Sequence, residues 1–282
     1  KKKRWANTNW EEFMIGRLWQ GTTGAIALAV LLLFGPAAFA DRFDEGYAAY
    51  QKGDFATART IWTKLAEQGE PRAQYNLGII YDEGRGVAAS RAQARLWWQK
   101  AAAQNVPEAL HNLATSYLFG VDGKDDHREG LSYLTKAAKL GLSRSQYVLG
   151  KIYLHGRGVE SDAVRARLWI EKAAQQGFDR AQYNMGKIAR DGIAGAVDMK
   201  AAAGWFLQAA KQGYAKAQNH IGMRYARGDG VEKNDTEALF WLTLAARQGH
   251  WTAKINQETL ASKLGKDALK DAERRADSWK RQ

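Results

Sequence analysis

The sequence predicts an all-α protein, a solenoid of antiparallel helical hairpins, and three observations lead to that prediction. Small, large apolar and glycine residues recur every 36 residues through most of the chain. Only three prolines occur among 282 residues, and proline is the residue that most strongly breaks helix interiors. A single hairpin of this length cannot bury its apolar face alone, so consecutive units are expected to stack on one another.

Each 36-residue unit is expected to hold two helices, whose apolar faces follow from the recurring residues. In the first unit, Ala73, Leu77 and Tyr81 are spaced by four and therefore share one face of the first helix, which Gly84 ends. The second helix and the end of the unit repeat Ala94, Trp97, Ala101, Ala102 and Asn105. Glycine replaces Asn105 in the other units, and both residue types adopt the left-handed conformation that ends helices. We expect the large residue of the second helix to fill the space towards the next unit.

The repeats divide the chain into four segments. Residues 1–40 are predicted to be a signal peptide, and residues 41–72 a shortened, tetratricopeptide-like unit. Residues 73–252 hold five full units, and residues 253–282 are predicted to form capping helices. An exposed end of a stack of repeats needs such a cap, with a polar outer face.

The first segment has the anatomy of an export signal. The apolar residues 25–34 are followed by a small-x-small pattern that ends at Ala40, where cleavage is expected. A start at Met14 would give this signal an ordinary length. The alternative is an uncleaved anchor in the inner membrane, since about 20 apolar residues can span a bilayer. The expected location after cleavage is periplasmic or secreted.

Charge and the lack of cysteine limit the classes of function. The formal net charge of +12 favours acidic partners or surfaces. The basic residues are spread along the chain, without a basic run interleaved with aromatics, so no nucleic-acid partner is expected. Because there is no cysteine, disulfides, thiol catalysis and thiolate metal sites are excluded.

The sequence also lacks the residue spacings of common catalytic and metal sites. No two of the five histidines have an H-x-H or H-E-x-x-H spacing. There is no G-x-S-x-G, and no serine is followed three residues later by lysine. The recurring G-R-G-V lacks the G-K-[ST] ending of a phosphate-binding loop. We therefore expect no catalytic residue, no metal and no cofactor, and a function other than catalysis.

The unit as a whole resembles the Sel1-like repeat, a relative of the tetratricopeptide repeat. The resemblance rests on L-G-x-x-Y, then G-x-G-V, then A-x-x-W-x-x-x-A-A, as in Leu77 to Ala102. Two units depart from the loop pattern, at Gly120–Gly123 and at Gly192–Gly195. The resemblance implies a right-handed α-solenoid that binds proteins in the bacterial cell envelope. Members that act on β-lactams are cysteine-rich, so that activity is not implied for this chain.

In solenoids of this kind the first helix of each unit lines a concave groove, and the resemblance implies that its free positions contact the ligand. Asparagines pair with the main chain of a peptide, tyrosines supply apolar area with a polar tip, and lysines and arginines attract carboxylates. The predicted partner-binding residues are Tyr75, Asn76, Asn112, Tyr147, Lys151, Tyr183, Asn184, Lys187, Arg190 and Arg227. Packing between units is the alternative for the tyrosines, and a solvated face is the alternative for the basic residues.

The sequence thus predicts a non-catalytic, exported scaffold that binds a protein or peptide, including acidic ones. One alternative is an envelope glycan or peptidoglycan binder, with weak hydrolysis by a groove carboxylate such as Glu83 or Asp191. The other is a structural protein tethered to the membrane by an uncleaved N-terminus. The residues leave the oligomeric state open.

Overall fold

The computed structural model describes residues 36–118 and 126–281, which divide into two compact units between Lys100 and Ala101. Within these ranges the chain forms fourteen helices and no strand. The helices are α1 (Pro36–Gln51), α2 (Phe55–Glu67), α3 (Pro71–Glu83), α4 (Arg91–Ala103), α5 (Pro107–Leu118), α6 (His127–Lys139), α7 (Ser143–His155), α8 (Ala163–Gln175), α9 (Asp179–Asp191), α10 (Met199–Lys211), α11 (Ala215–Arg227), α12 (Asp235–Arg247), α13 (Trp251–Leu264) and α14 (Lys266–Ser278). The prediction of an all-α fold of hairpins with a 36-residue repeat is confirmed.

The first unit contains α1 to α3 and most of α4. Its core surrounds Trp62 of α2, which is 1% exposed and stacks on Phe43 of α1 with ring centroids 5.8 Å apart. The indole N–H of Trp98 in α4 donates to the carbonyl of Tyr75 in α3 at 3.2 Å. These contacts join the helices of each hairpin across their apolar faces.

The second unit contains the end of α4 and α5 to α14. Its odd-numbered helices from α5 to α11 are the first helices of repeats, and the even-numbered ones from α6 to α12 are the second. At the C-terminal end α14 packs on α12 and α13. Arg275 of α14 forms an ion pair with Glu237, and Asp277 forms another with Arg247 at 2.8 Å. No helix among the described residues is both long and apolar enough to cross a membrane.

Two sequence predictions concern segments that the structure does not describe. The apolar run of the predicted signal, with Met14, lies in residues 1–35, and the unusual loop Gly120–Gly123 lies in residues 119–125. The predicted cleavage after Ala40 falls inside α1, which begins at Pro36. Signal cleavage therefore stays a prediction.

The core of each hairpin is filled by the residue that follows the recurring large residue of the second helix, which is Trp97 in the first repeat. These residues are at most 4% exposed: Trp62, Trp98, Leu134, Ile170, Phe206 and Leu242. The preceding Trp169 and Trp205 are only partly buried, and each packs against a cluster that includes residues of the preceding repeat. The prediction that these tryptophans pack towards the next unit is therefore wrong. Adjacent helix positions point about 100° apart, so the following residue faces the hairpin core and the tryptophan faces the preceding repeat.

The two helices of a repeat approach each other at a pair of small residues. A Cβ atom placed on Gly150 would lie 3.0 Å from the carbonyl oxygen of Ala166 and 2.5 Å from Cγ1 of Ile170. In the preceding repeat the pair is reversed, with Ala114 on the first helix and Gly130 on the second. A Cβ atom on Gly130 would lie 3.1 Å from the Ala114 oxygen. Each of these pairs therefore keeps one glycine, and either helix supplies it.

Buried glutamines join consecutive repeats. Gln146 donates to the carbonyl of Ala138 in the preceding second helix at 3.1 Å and accepts a hydrogen bond from Gln176 at 2.7 Å. Gln182 with Gln212, and Gln218 with Gln248, repeat the arrangement. In the repeat of residues 107–142 the two positions are Leu110 and Leu140. Because both partners change together, no buried amide is left unpaired there.

The turn between the helices of a repeat places its second glycine in the left-handed region. Gly86, Gly158 and Gly230 have φ of 67°, 71° and 77°. Ala194 takes this position in the fourth repeat at φ 54°, so the backbone turns there without the residue that favours it. Asn105, with φ 62°, ends its unit as predicted.

Replacing Ala194 with glycine is expected to stabilise the protein. A left-handed conformation costs a non-glycine residue about 1 kcal/mol or more, which glycine does not pay. We expect the free energy of unfolding to rise by about 1 kcal/mol in urea denaturation followed by circular dichroism. Ala196 lies in the same loop with a negative φ, so Ala196→Gly is the matched control and should bring no gain. Equal effects of both substitutions would contradict the backbone explanation.

Candidate functional site

In the second unit, the first helices of neighbouring repeats contact one another through side chains. Asn184 of α9 donates to the Tyr147 hydroxyl of α7 at 3.2 Å, and the Tyr183 hydroxyl lies 3.4 Å from Nε2 of His220 in α11. These contacts join residues 37 apart, so α7, α9 and α11 present one continuous surface. We call it the first-helix face, and its predicted binding residues are Tyr147, Lys151, Tyr183, Lys187, Arg190 and Arg227.

The two tyrosines of this face are half-buried and pack against other rings. The ring centroids of Tyr147 and Phe178 are 5.3 Å apart, and those of Tyr183 and Tyr214 are 5.2 Å apart. Burial raises the pKa of Tyr147 and of Tyr183, so both hydroxyls stay protonated. The tyrosines thus pack between repeats and also leave part of each ring open to a ligand.

The asparagines predicted to bind the partner differ in their exposure to solvent. Asn184 is 8% exposed, and its amide also donates to the carbonyl of Arg180 at 2.7 Å. Both amide hydrogens of Asn184 are therefore used inside the protein, where they hold Tyr147 in place. Asn112 is half-buried on α5, and Tyr75 and Asn76 are half-buried on α3 in the first unit.

Like charges lie close together on the C-terminal half of the face. Burial lowers the pKa of Lys151, and the nearby Lys187 and Arg157 lower it further. The charged groups that change the pKa of Lys151 are therefore both cations. His155 has a lowered pKa because of burial and these same three cations. An unfavourable concentration of positive charge favours the binding of an anion.

Arginines extend this positive region onto α9 and α11. Arg190 binds the neighbouring Asp191 with two hydrogen bonds, of 2.6 and 2.8 Å. Arg224 is 5% exposed; its guanidinium lies 5.2 Å from the ring centre of Phe206, and it donates to the carbonyl of Asp229 at 3.1 Å. Arg227 is exposed at the end of α11.

His220 lies beside the cations Lys187, Arg190 and Arg224. Its ring stacks on Phe206 at 4.8 Å with an interplanar angle of 10°. Burial, together with Arg190, Arg224, Lys187 and His250, lowers its pKa to about 4. The ring is therefore neutral at pH 7 and contributes aromatic surface rather than charge.

The carboxylates considered for hydrolysis are paired with arginines. The hydrogen bonds from Arg190 lower the pKa of Asp191, and Glu83 forms an ion pair of 2.8 Å with Arg85. A general acid needs a raised pKa, so Asp191 is unsuited to that role. Within the described ranges, no group of three or more acidic or histidine residues is placed to hold a metal ion. The arrangement is suited to holding an anion rather than to transferring a proton.

Two arginines that the sequence prediction omitted share the first-helix face. Arg144 precedes Tyr147 by one turn of α7, and Arg180 precedes Tyr183 by one turn of α9. The signal for them was the recurrence of R-x-Q-Y-x-x-G-K in these two helices. The sequence analysis did not use this motif, because an arginine near the start of a helix is usually exposed to solvent.

The repeats match a known family over most of the chain. The family model for the Sel1 repeat matches residues 71–106, 107–142, 143–178, 179–214 and 215–250. The chain belongs to the Sel1 repeat family. This confirms the resemblance drawn from the sequence, including its five full repeats. These Sel1 repeats form a scaffold suited to protein–protein interaction, of a kind that is typically non-catalytic.

Two solved structures support the same assignment. A protective antigen of uropathogenic Escherichia coli strains with an SLR fold is 30% identical, with a TM-score of 0.71. The match covers 79% of this chain but only 48% of the antigen's chain, so this Sel1 repeat protein spans about half of that relative. A Sel1 repeat protein from Oxalobacter formigenes is 28% identical with a TM-score of 0.73, covering 84% of this chain and all of the other. No curated protein sequence matches the chain significantly.

Proposed function

We propose that this Sel1 repeat protein is an exported, periplasmic scaffold of the bacterial cell envelope that binds an acidic segment of a partner protein. The first-helix face is the binding surface. The observation that carries the proposal is the cluster of Lys151, Lys187 and Arg157, in which burial and like charges destabilise the protonated lysine. A carboxylate placed among them relieves that repulsion.

Electrostatics and shape act together on this surface. Partly buried ammonium and guanidinium groups form charge-assisted hydrogen bonds, which are stronger than bonds between neutral groups. Arg227 is exposed and extends the positive region, whereas Asp191 is already bound to Arg190. The half-exposed rings of Tyr147 and Tyr183 supply apolar contact beside the charges. A partner segment with carboxylates next to apolar atoms fits this combination.

Charge reversal at Lys151 and Lys187 is expected to abolish binding of the acidic partner. The test is crosslinking to the full-length protein in the intact cell envelope, followed by mass spectrometry and by binding measurements with the acidic segment so identified. Affinity should fall at least 100-fold in Lys151→Glu/Lys187→Glu, because two attractive charges become two repulsive ones. The tyrosines are left unchanged because they also pack between repeats.

The matched control reverses two charges elsewhere. Lys136 and Lys139 are exposed on the second helix α6, so Lys136→Glu/Lys139→Glu makes the same change in net charge. This variant should keep the partner with less than a threefold loss. If the two double variants lose the partner equally, net charge rather than the first-helix face explains binding. If neither loses it, the proposal is wrong.

Export is tested separately on the precursor. The apolar segment before Asp41 supports cleavage after Ala40, so the mature protein should begin at Asp41 and appear in the periplasmic fraction. Edman sequencing of the protein from that fraction checks the site. An intact N-terminus in the membrane fraction would favour the anchored alternative, and recovery from the cytosol would contradict export.

A further inference from the structure

Helices α7 and α9 carry the same polar motif, and the other first helices do not. α7 reads R-S-Q-Y-V-L-G-K from Arg144 to Lys151, and α9 reads R-A-Q-Y-N-M-G-K from Arg180 to Lys187. In α3 the final position is Ile79, and α11 has Met223 there. The complete motif therefore occurs on two neighbouring helices of the second unit.

The motif places two cations on one face of each helix with a tyrosine between them. Seven residues make almost two helical turns, so Arg180 and Lys187 share a face, about 10 Å apart along the axis. Tyr183 lies between them, as Tyr147 does on α7. The hydrogen bond from Asn184 to the Tyr147 hydroxyl shows that the two helices are adjacent. Four cations thus bracket two tyrosine rings.

The arginine edge of this surface is incompletely satisfied. Nε and Nη2 of Arg144 are buried from solvent and have no hydrogen-bond partner. Leaving buried donors unpaired costs free energy, and a carboxylate bound nearby would stabilise the charge of this guanidinium electrostatically. Arg180 is exposed, with Asp179 accepting from its main-chain N–H at 2.6 Å. Glu108 of α5 lies near Arg144; burial raises the pKa of this carboxyl, and Arg144 lowers it.

We infer that the two R-x-Q-Y-x-x-G-K motifs form a four-cation surface for an extended segment of consecutive acidic residues. Carboxylates on one side of the segment would contact the lysine edge, Lys151 and Lys187, and those on the other side the arginine edge, Arg144 and Arg180. The inference rests on the proposed function and specifies the partner that it calls acidic.

The extended conformation follows from cations on both sides of the tyrosines. Successive side chains of an extended chain point in opposite directions, so a consecutive acidic run presents carboxylates to both edges. In a helix, successive side chains point about 100° apart, so consecutive carboxylates would not alternate between the two edges. Packed helices lie about 8–10 Å apart, a distance that three extended residues cover at about 3.3 Å each. A run of about six acidic residues therefore reaches both helices.

Two peptides of equal charge test this inference. One carries six consecutive glutamates, and the other carries six glutamates alternating with serines, so that its extended form is acidic on one side only. Fluorescence anisotropy with the full-length protein at physiological salt should give the consecutive peptide about tenfold higher affinity. In Arg144→Ala/Arg180→Ala that advantage should disappear, while the alternating peptide changes less than twofold.

The outcomes separate this inference from the proposed function. Equal affinity of both peptides, with binding still lost in Lys151→Glu/Lys187→Glu, would overturn the two-edge surface and leave the acidic partner in place. A helical circular dichroism signal from the bound consecutive peptide would also overturn it. Lys136→Ala/Lys139→Ala is the charge-matched control and should preserve the tenfold difference. Circular dichroism of each protein variant alone verifies that it is folded.

Discussion

Replacing Gly150 with alanine is expected to lower the free energy of unfolding by about 3 kcal/mol. The new Cβ would meet Cγ1 of Ile170 at 2.5 Å and the Ala166 oxygen at 3.0 Å, inside a packed core that cannot absorb it without moving a helix. Ile170 is fully buried, so its side chain has no free space to enter. Urea denaturation followed by circular dichroism measures the loss.

The neighbouring repeat supplies the control for this prediction. It carries Ala114, Gly130 and Leu134 at the positions of Gly150, Ala166 and Ile170. The triple variant Gly150→Ala/Ala166→Gly/Ile170→Leu therefore reproduces a set that the protein already uses. It should recover most of the stability lost by Gly150→Ala. A triple variant no more stable than the single one would show that the exchange of glycine and alanine is not compensatory.

Acidification from pH 7 to pH 5 is expected to destabilise the protein through two histidines. Burial and nearby cations lower the pKa of His111 and His220 from 6.5 to about 4. A lowered native pKa means that the unfolded state binds more protons below pH 6.5, so stability is full above that pH and falls towards pH 4. By pH 5 the expected loss is about 2 kcal/mol for each histidine.

Removing the two rings tests the origin of this pH dependence. His111→Gln/His220→Gln should show a much flatter plot of unfolding free energy between pH 7 and pH 5, although it will be less stable at pH 7. Glu108, whose pKa is raised by burial, changes stability in the opposite direction and reduces the observed slope. An unchanged slope in the double variant would mean that other groups titrate in this range.

The repeat and its turns were predictable from the sequence because they depend on local backbone preferences. Gly84, Gly156 and Gly228 end the first helices in the left-handed conformation, and Asn105 replaces glycine at the end of one unit. Each such residue satisfies a requirement of its own backbone, which holds whatever the neighbouring residues are. Periodicity therefore located both helices of every repeat.

The packing partners were not predictable because they depend on contacts between residues far apart in sequence. Trp97 and Trp98 are adjacent and chemically identical, yet it is the indole N–H of Trp98 that donates to the Tyr75 carbonyl of the first helix. Ala114 and Gly130 stand where the next repeat has Gly150 and Ala166. The sequence alone does not show that each pair is in contact, so the exchange of glycine and alanine could not be recognised as compensatory. Buried Gln146 appears unfavourable until its partners Ala138 and Gln176 are known.

The candidate site divides in the same way. The sequence predicted the rows that contain Tyr147, Lys151, Tyr183 and Lys187, since residues 36 apart occupy equivalent places on stacked helices. It did not predict that both amide hydrogens of Asn184 form bonds within the protein, because a repeat pattern does not identify hydrogen-bond partners on another helix.

The glutamine pairs bear on how such a chain changes length during evolution. The repeats that begin at residues 143, 179 and 215 each present a glutamine amide to a carbonyl of the repeat before them, supplied by Ala138, Ala174 and Ala210. Unequal recombination that deletes or duplicates one of these three would rejoin matching chemistry at the new junction. The repeat at 107–142 has Leu110 in place of this glutamine, although its Ala138 carbonyl accepts from Gln146. Deletion or duplication of a repeat is therefore expected to be well tolerated among these three repeats, which include the surface that we assign to the partner.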